Sequence, residues 1–362
     1  MKLRLLFCTI AIALLTILAM PMRLAAQTPR ITTFDAPGAG TSANQGTIPQ
    51  QNDSEGVVVG DYIDANGVAH GFLRAAGGAI TTFDAPGAGK SSGQGTFALG
   101  IIPAGAVTGY YVDGRGVSHG FLRAANGKIR SFNAPGAGTG ANQGTLGFAI
   151  NPAGVISGIY IDASGVSHGL VRAPDGTITS FDASGAGTGA GEGTIGDTIG
   201  LSPAGVIGGP YIDDSFVFHG YVRDPDGTVT SFDPTGSFDT LPSSINQEGV
   251  INGGYLDASF VEHAFLRFPD GSITSFDVPG AATTGATAAN AAGIIVGVYT
   301  DASGADHGFV RSNSGTFITL DAPGAGTGSG QGTFPNSINR EGTVSGFYLD
   351  ANGANHGFVA GP

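Results

Sequence analysis

The sequence contains no tryptophan, one cysteine and three methionines in 362 residues, and only 12% of its residues are charged. Without tryptophan it lacks the best aromatic surface for stacking on a sugar ring, which weighs against a dedicated carbohydrate site. Basic residues are scarce, 15 against 28 acidic ones for a net charge of −13, and they form no stripe. Nucleic acid and anionic lipid are therefore excluded as partners at long range. No segment shows helical periodicity with caps. What the chain has in abundance is glycine, 64 residues with no Gly-X-Y period, set among Phe, Ile, Val and Thr. That mixture predicts short strands and tight turns.

The segment 1–26 reads as a signal peptide. Lys2 and Arg4 form a basic start, an apolar run extends from Leu5 to Met20, and Pro21 precedes the small pair Ala25-Ala26. Cleavage after Ala26 is expected, which makes the mature protein secreted or periplasmic and free of membrane insertion. An uncleaved anchor is the alternative, although the run from Leu5 to Met20 is marginal in length for a bilayer. Cys8 lies in this segment behind Phe7, a poor site for lipid attachment, so no disulfide is available to residues 27–362. Loss of the leader removes three basic residues and leaves 12 against 28, a net charge of −16.

A period then organises everything else. All seven histidines share one register: His70, His119, His168, His219, His263, His307 and His356. The interval is shortest from His219 to His263 and from His263 to His307. Six residues before each stands an aspartate: Asp64, Asp113, Asp162, Asp213, Asp257, Asp301 and Asp350. A tyrosine lies two residues before each Asp, and an arginine four after each His except the last, where Ala360 stands. Within the second repeat, four strand-like stretches run from Thr96 to Ile102, Ala106 to Asp113, Ser118 to Ala124 and Lys128 to Asn133. Turn sequences rich in Asn and Gly separate them. Four antiparallel strands in a repeat of this length is the period of a propeller blade.

The chain ends are out of phase with the repeat. Ile31 to Asp35 matches a fourth strand, whereas the chain finishes after a third strand at His356 to Val359. Pairing the two completes the last repeat and leaves no orphan edge. The expectation is an all-β fold: a single domain over 27–362, a seven-bladed β-propeller of four-stranded blades closed by its N-terminal strand. It is also expected to be monomeric. An open β-solenoid is the rival, but would need polar caps instead.

The recurring His-Gly-Phe, with His263-Ala264-Phe265 in the fifth repeat, resembles the HAF-type extracellular repeat proteins of bacteria. The resemblance spans the mature chain and departs from the family in using Gly for Ala in most copies. It implies an extracellular, repeat-built protein and brings no settled activity or catalytic residue.

The Asp and His of each repeat flank one hairpin, where the carboxylate can take turn N–H groups and fix the tautomer of a buried imidazole. The reading is structural, repeated seven times, because no repeat offers the further close ligands that zinc requires. No metal or cofactor is expected. The arginine is expected to cover apolar surface with its stem and to pair with a rim carboxylate. Gly87 to Ser91 is a partial phosphate-loop sequence, but Asp84 stands where the leading glycine belongs and no helix follows.

Departures from symmetry point to function. From the motif Phe to the next repeat's Ile register, the connector is long in Phe83 to Ile101, Phe132 to Ile150 and Phe181 to Leu201. It is markedly shorter in Phe232 to Ile245 and Phe276 to Ala289. In those same fourth and fifth repeats Phe216 and Phe260 replace the hairpin glycine that Gly67, Gly116, Gly165, Gly304 and Gly353 supply elsewhere. Asp213, Asp214, Asp239 and Glu262 lie in the same segments. One reading is a binding scaffold for an envelope protein or glycan, with the two rings as platforms and the acids as hydrogen-bond acceptors. The alternative is an enzyme, a lyase or hydrolase acting on a polysaccharide through loop carboxylates.

Overall fold

The computed structural model describes residues 29–195 and 200–361, all of them strand, turn or irregular segment, with no helix. The leader read at 1–26 lies outside the described residues. Among these residues no helix is long and apolar enough to cross a membrane.

In the second repeat Gly95–Ile101 pairs antiparallel with Val107–Val112, that strand with Ser118–Arg123, and that with Ile129–Phe132. The strands therefore fall within a residue or two of the stretches read from sequence. The same order of pairing recurs along the chain, with a bulge in the first strand of most repeats. Arg30–Phe34 pairs antiparallel with Asn355–Gly361, so that Ile31 faces Ala360 and Phe34 faces Gly357.

Single parallel bridges join neighbouring repeats: Gly95 to Ala69, Gly144 to Ser118, Gly193 to Ser167, Gly332 to Asp306 and Gly46 to Asn355. They knit 25 strands into one network. The strands from Ser237 to Phe276 form a separate four-stranded sheet, because the two short connectors bring no such glycine.

Burial explains the motif. The residue two after each His is fully buried: Phe72, Phe121, Leu170, Tyr221, Phe265, Phe309 and Phe358. Most of these meet, edge to face, the fourth-strand Phe of the preceding repeat, as Phe34 meets Phe72 at 6.0 Å and Phe83 meets Phe121 at 6.2 Å. The arginine departs from expectation. Its guanidinium lies over that same preceding Phe, 4.6–5.2 Å from the ring centroid, and in Arg74, Arg172, Arg223 and Arg267 donates to the next backbone carbonyl. A flat, weakly hydrated cation gains more from a ring face at a half-buried seam than from a solvated carboxylate.

On the first-strand side of the sheets, residues of all seven repeats, among them Gln50, Leu99, Phe148, Leu201, Ser243, Thr287 and Asn336, line one cavity of about 480 Å³. Turn asparagines link repeat to repeat around it. Asn246 Nδ2 donates to the Asn290 carbonyl, Asn290 to Asn339, and Asn339 to Asp53, 286 residues away.

Candidate functional site

The histidine sites come first, since they recur in every repeat. Each aspartate caps its own hairpin: Asp64 Oδ1 accepts the N–H groups of Asn66 and Val68, and the other six do the same. Its second oxygen stands 3.4–3.8 Å from the imidazole Nε2. The closer partner is one that sequence reasoning missed. Nδ1 donates at 2.8–3.0 Å to the residue 14 positions on: Asp84, Asn133, Asp182, Asp233, Asp277 or Asp321, and Asp35 for His356. That residue directly follows the fourth-strand Phe or its equivalent, Leu320, and its regular recurrence was the available signal. The repeat tyrosine lies against each ring, at 4.8–5.3 Å. The imidazoles are 17–25% exposed rather than buried, because the strand lies near the surface.

These contacts set a pH response. For His219, His263 and His307 partial burial works against the charged ring. The hydrogen bonds and charges of Asp233, Asp277 and Asp321, then of the hairpin aspartates, outweigh it and raise each pKa above 6.5. The backbone N–H groups of Val217 and Val261 hold Asp213 and Asp257 below the ordinary 3.8, and the Ser303 hydroxyl holds Asp301 at about 2. A raised histidine stabilises the fold fully below about pH 6.5 and ceases to as pH climbs through its folded value. A lowered aspartate stabilises above about pH 3.8 and ceases to as pH falls towards its folded value. The melting temperature is thus expected to peak between about pH 4 and 6.5, with Asp61, its pKa raised by burial to about 7, drawing the optimum toward the acidic end, measured by thermal denaturation from pH 2 to 9. Replacing Asp233, Asp277 and Asp321 with Asn should flatten the alkaline limb, and an unchanged limb would remove the histidines from the response.

Where symmetry breaks, a physical reason emerges for the paired changes. In five repeats the following connector folds over the hairpin glycine, and a β-carbon there would press on Ser92, Ala141, Ala190, Ser329 or Ala43. The short connectors after the fourth and fifth repeats remove that cover. Phe216 and Phe260 occupy the left-handed backbone region at φ 59° and 60° and project outward, 62% and 65% exposed. Phe238, which sequence reasoning passed over, is 46% exposed and meets Phe260 edge to face at 5.1 Å. Among the described residues these three are the exposed large hydrophobic side chains. Phe238 stands in the connector itself, where no repeat pattern marks it.

The acids separate into different tasks. Asp213 caps its hairpin as its six counterparts do. Asp214 accepts the Thr188 N–H at 3.3 Å. Asp239 Oδ1 accepts the Phe218 N–H at 2.9 Å, where regular repeats offer a backbone carbonyl, as Gln94 does to Ala69. Glu262 turns inward, and burial followed by the charge of Asp306 raises its pKa. The structure thus sets Phe238 against Phe260 and gives each of the four carboxylates a different task.

No family model matches the chain, and no curated protein matches it. Solved structures do. The BP39L lectin from Burkholderia pseudomallei superposes with a TM-score of 0.57 at 11% identity, over 86% of this chain and 94% of that one. TolB from Acinetobacter baumannii aligns with a TM-score of 0.46 at 12% identity, over 91% and 79%. The Aleuria aurantia lectin bound to α-methyl-L-fucoside aligns at 0.39 and 10% identity, over 81% and 94%. The likeness to the Burkholderia lectin shows the fold class, an all-β, propeller-like scaffold.

Proposed function

We propose that the protein is an exported binding scaffold: a monomeric seven-bladed β-propeller of four-stranded blades over 27–362, freed from its leader at Ala26. In this reading it belongs with the HAF-type extracellular repeat proteins it resembles. Its ligand, an envelope protein or glycan, seats on the face where two connectors are short. The observation that carries this is the exposure of Phe216, Phe260 and Phe238, the latter two in edge-to-face contact, in the repeats whose connectors are short. Large rings left in water beside one another are characteristic of binding surfaces. Phenyl rings without a polar tip, and the lack of tryptophan, favour a protein ligand over a sugar.

The double change Phe216→Gly and Phe260→Gly tests it. Glycine is the residue used in the other five repeats and is at ease at positive φ, so the melting temperature should hold or rise slightly. Binding to an immobilised envelope extract should weaken by about 1–3 kcal/mol, the loss typical of an aromatic anchor. The signal should vanish after protease treatment of the extract and survive periodate oxidation of its sugars. Equal binding by the variant would sink the platform, and the reverse treatment pattern would make the ligand a glycan.

A further inference from the structure

Between the fourth and fifth repeats lies a second cavity, of about 270 Å³, lined by Ile195, Pro210, Phe218, Leu241, Gly254 and Glu262 among others. It exists because filler side chains are missing. In other repeats two facing first- and second-strand positions carry pairs such as Phe97 with Tyr110, Leu146 with Ile159 and Phe334 with Phe347. In the fifth repeat the second position is Gly254, and in the sixth the first is Gly285. The Glu262 carboxylate occupies the freed space, where a methyl group on either glycine would collide with it. Its neighbours in sequence tie it to the patch: Phe216 precedes Phe218, and Phe260 precedes Glu262, by two residues.

Resting on the binding-scaffold reading, we infer that this cavity is a subsite for an alkylammonium group, the side chain of a lysine on the partner protein. Three features define that chemistry. Ile195, Pro210, Phe218, Leu241 and Pro242 offer apolar surface for an aliphatic stem, beside polar surface that includes Ser243 and Glu262. The far wall holds a carboxylate that accepts no hydrogen bond from any described residue and lies near the second negative charge of Asp306. Burial and that neighbour both disfavour its ionised form, and an arriving cation would relieve both. Among the described residues no basic side chain lines the cavity to compete, and the chain's net charge of −13 attracts cations from a distance. The volume lies below the roughly 300–1,000 Å³ of drug-sized sites, so it takes a single side chain rather than a larger ligand.

The probes are N-acetyl-lysine methylamide and its uncharged counterpart N-acetyl-norleucine methylamide, titrated into the mature protein by NMR. The lysine compound should bind at least about 10-fold more tightly, the range for a charge-assisted hydrogen bond in a sheltered site. Glu262→Gln, which keeps shape, should erase the preference while leaving the melting temperature within a few degrees. Gly254→Ala, which displaces the carboxylate without changing charge, should weaken both probes. Binding of neither probe, or a preference that survives in Glu262→Gln, would overturn the subsite. Either result would leave the Phe216 and Phe260 outcome standing, so failure here is separable from failure of the scaffold reading.

Discussion

Deleting residues 29–35 is expected to remove about 5 kcal/mol or more of folding stability, much of the 5–15 kcal/mol typical of a domain. The segment contributes five paired residues to the last repeat. Phe34 packs edge to face on Phe72 and carries the Arg74 guanidinium at 4.8 Å, while Asp35 accepts from His356 Nδ1 at 3.0 Å. Loss of the half-buried ring alone costs up to about 3 kcal/mol, the low end of the range for fully buried Phe truncations. The deletion also bares the edge of Asn355–Gly361, a template for pairing with other chains. Urea denaturation and size-exclusion chromatography of the truncated protein should show a lower midpoint and aggregates, and a synthetic peptide covering 27–36 should reverse both. A truncated protein that stays monomeric and melts unchanged would contradict the propeller reading.

The substitution Gly95→Ala should be nearly as damaging, for a different reason. Gly95 bridges to Ala69 of the preceding repeat at φ 119°, and a β-carbon would strike the Ala69 carbonyl oxygen, which belongs to rigid backbone. Either the left-handed residue or the seam must shift, and the Ala69 N–H bond to the Gln94 carbonyl goes with it. A loss of roughly 3 kcal/mol or more is expected. Gly93 supplies the control. It too has positive φ, 78°, but a β-carbon there meets nothing, so its replacement by Ala should show only the intrinsic cost of a left-handed residue. That cost is about 1–2 kcal/mol. Urea midpoints of the two variants measure the difference. Equal midpoints would mean the seam yields without strain.

The repeat scaffold was legible because its constraints are local or periodic. The His and Asp register, the Asn- and Gly-rich turns and the phase offset between chain ends all recur in the sequence, and each finds its strand or hairpin in the structure. The coincidence of short connectors with Phe216 and Phe260 was also visible, but its cause was not. That cause is a steric contact between a hairpin and the connector two strands later, as between Gly67 and Ser92. The arginine's partner was not legible either, because it is a Phe of the preceding repeat, a whole period away, and a nearby carboxylate is the obvious alternative. Asp239 and Glu262 read alike in sequence as loop acids. One replaces a backbone acceptor at a seam and the other fills a space left by two glycines, distinctions that only packing reveals.

The pairing of Arg30–Phe34 with Asn355–Gly361 also bears on how the chain is made. Asp35 and His356 are 321 residues apart, so at about 5–20 residues per second a ribosome needs roughly 15 to 65 s to produce the second after the first. Throughout that interval the earliest strand has no native partner, while the repeats behind it can pair internally as they emerge. Closing so long a loop last places the slowest contact at the end of synthesis. A chaperone that shields Arg30–Phe34 would therefore aid folding more than one acting on any later repeat.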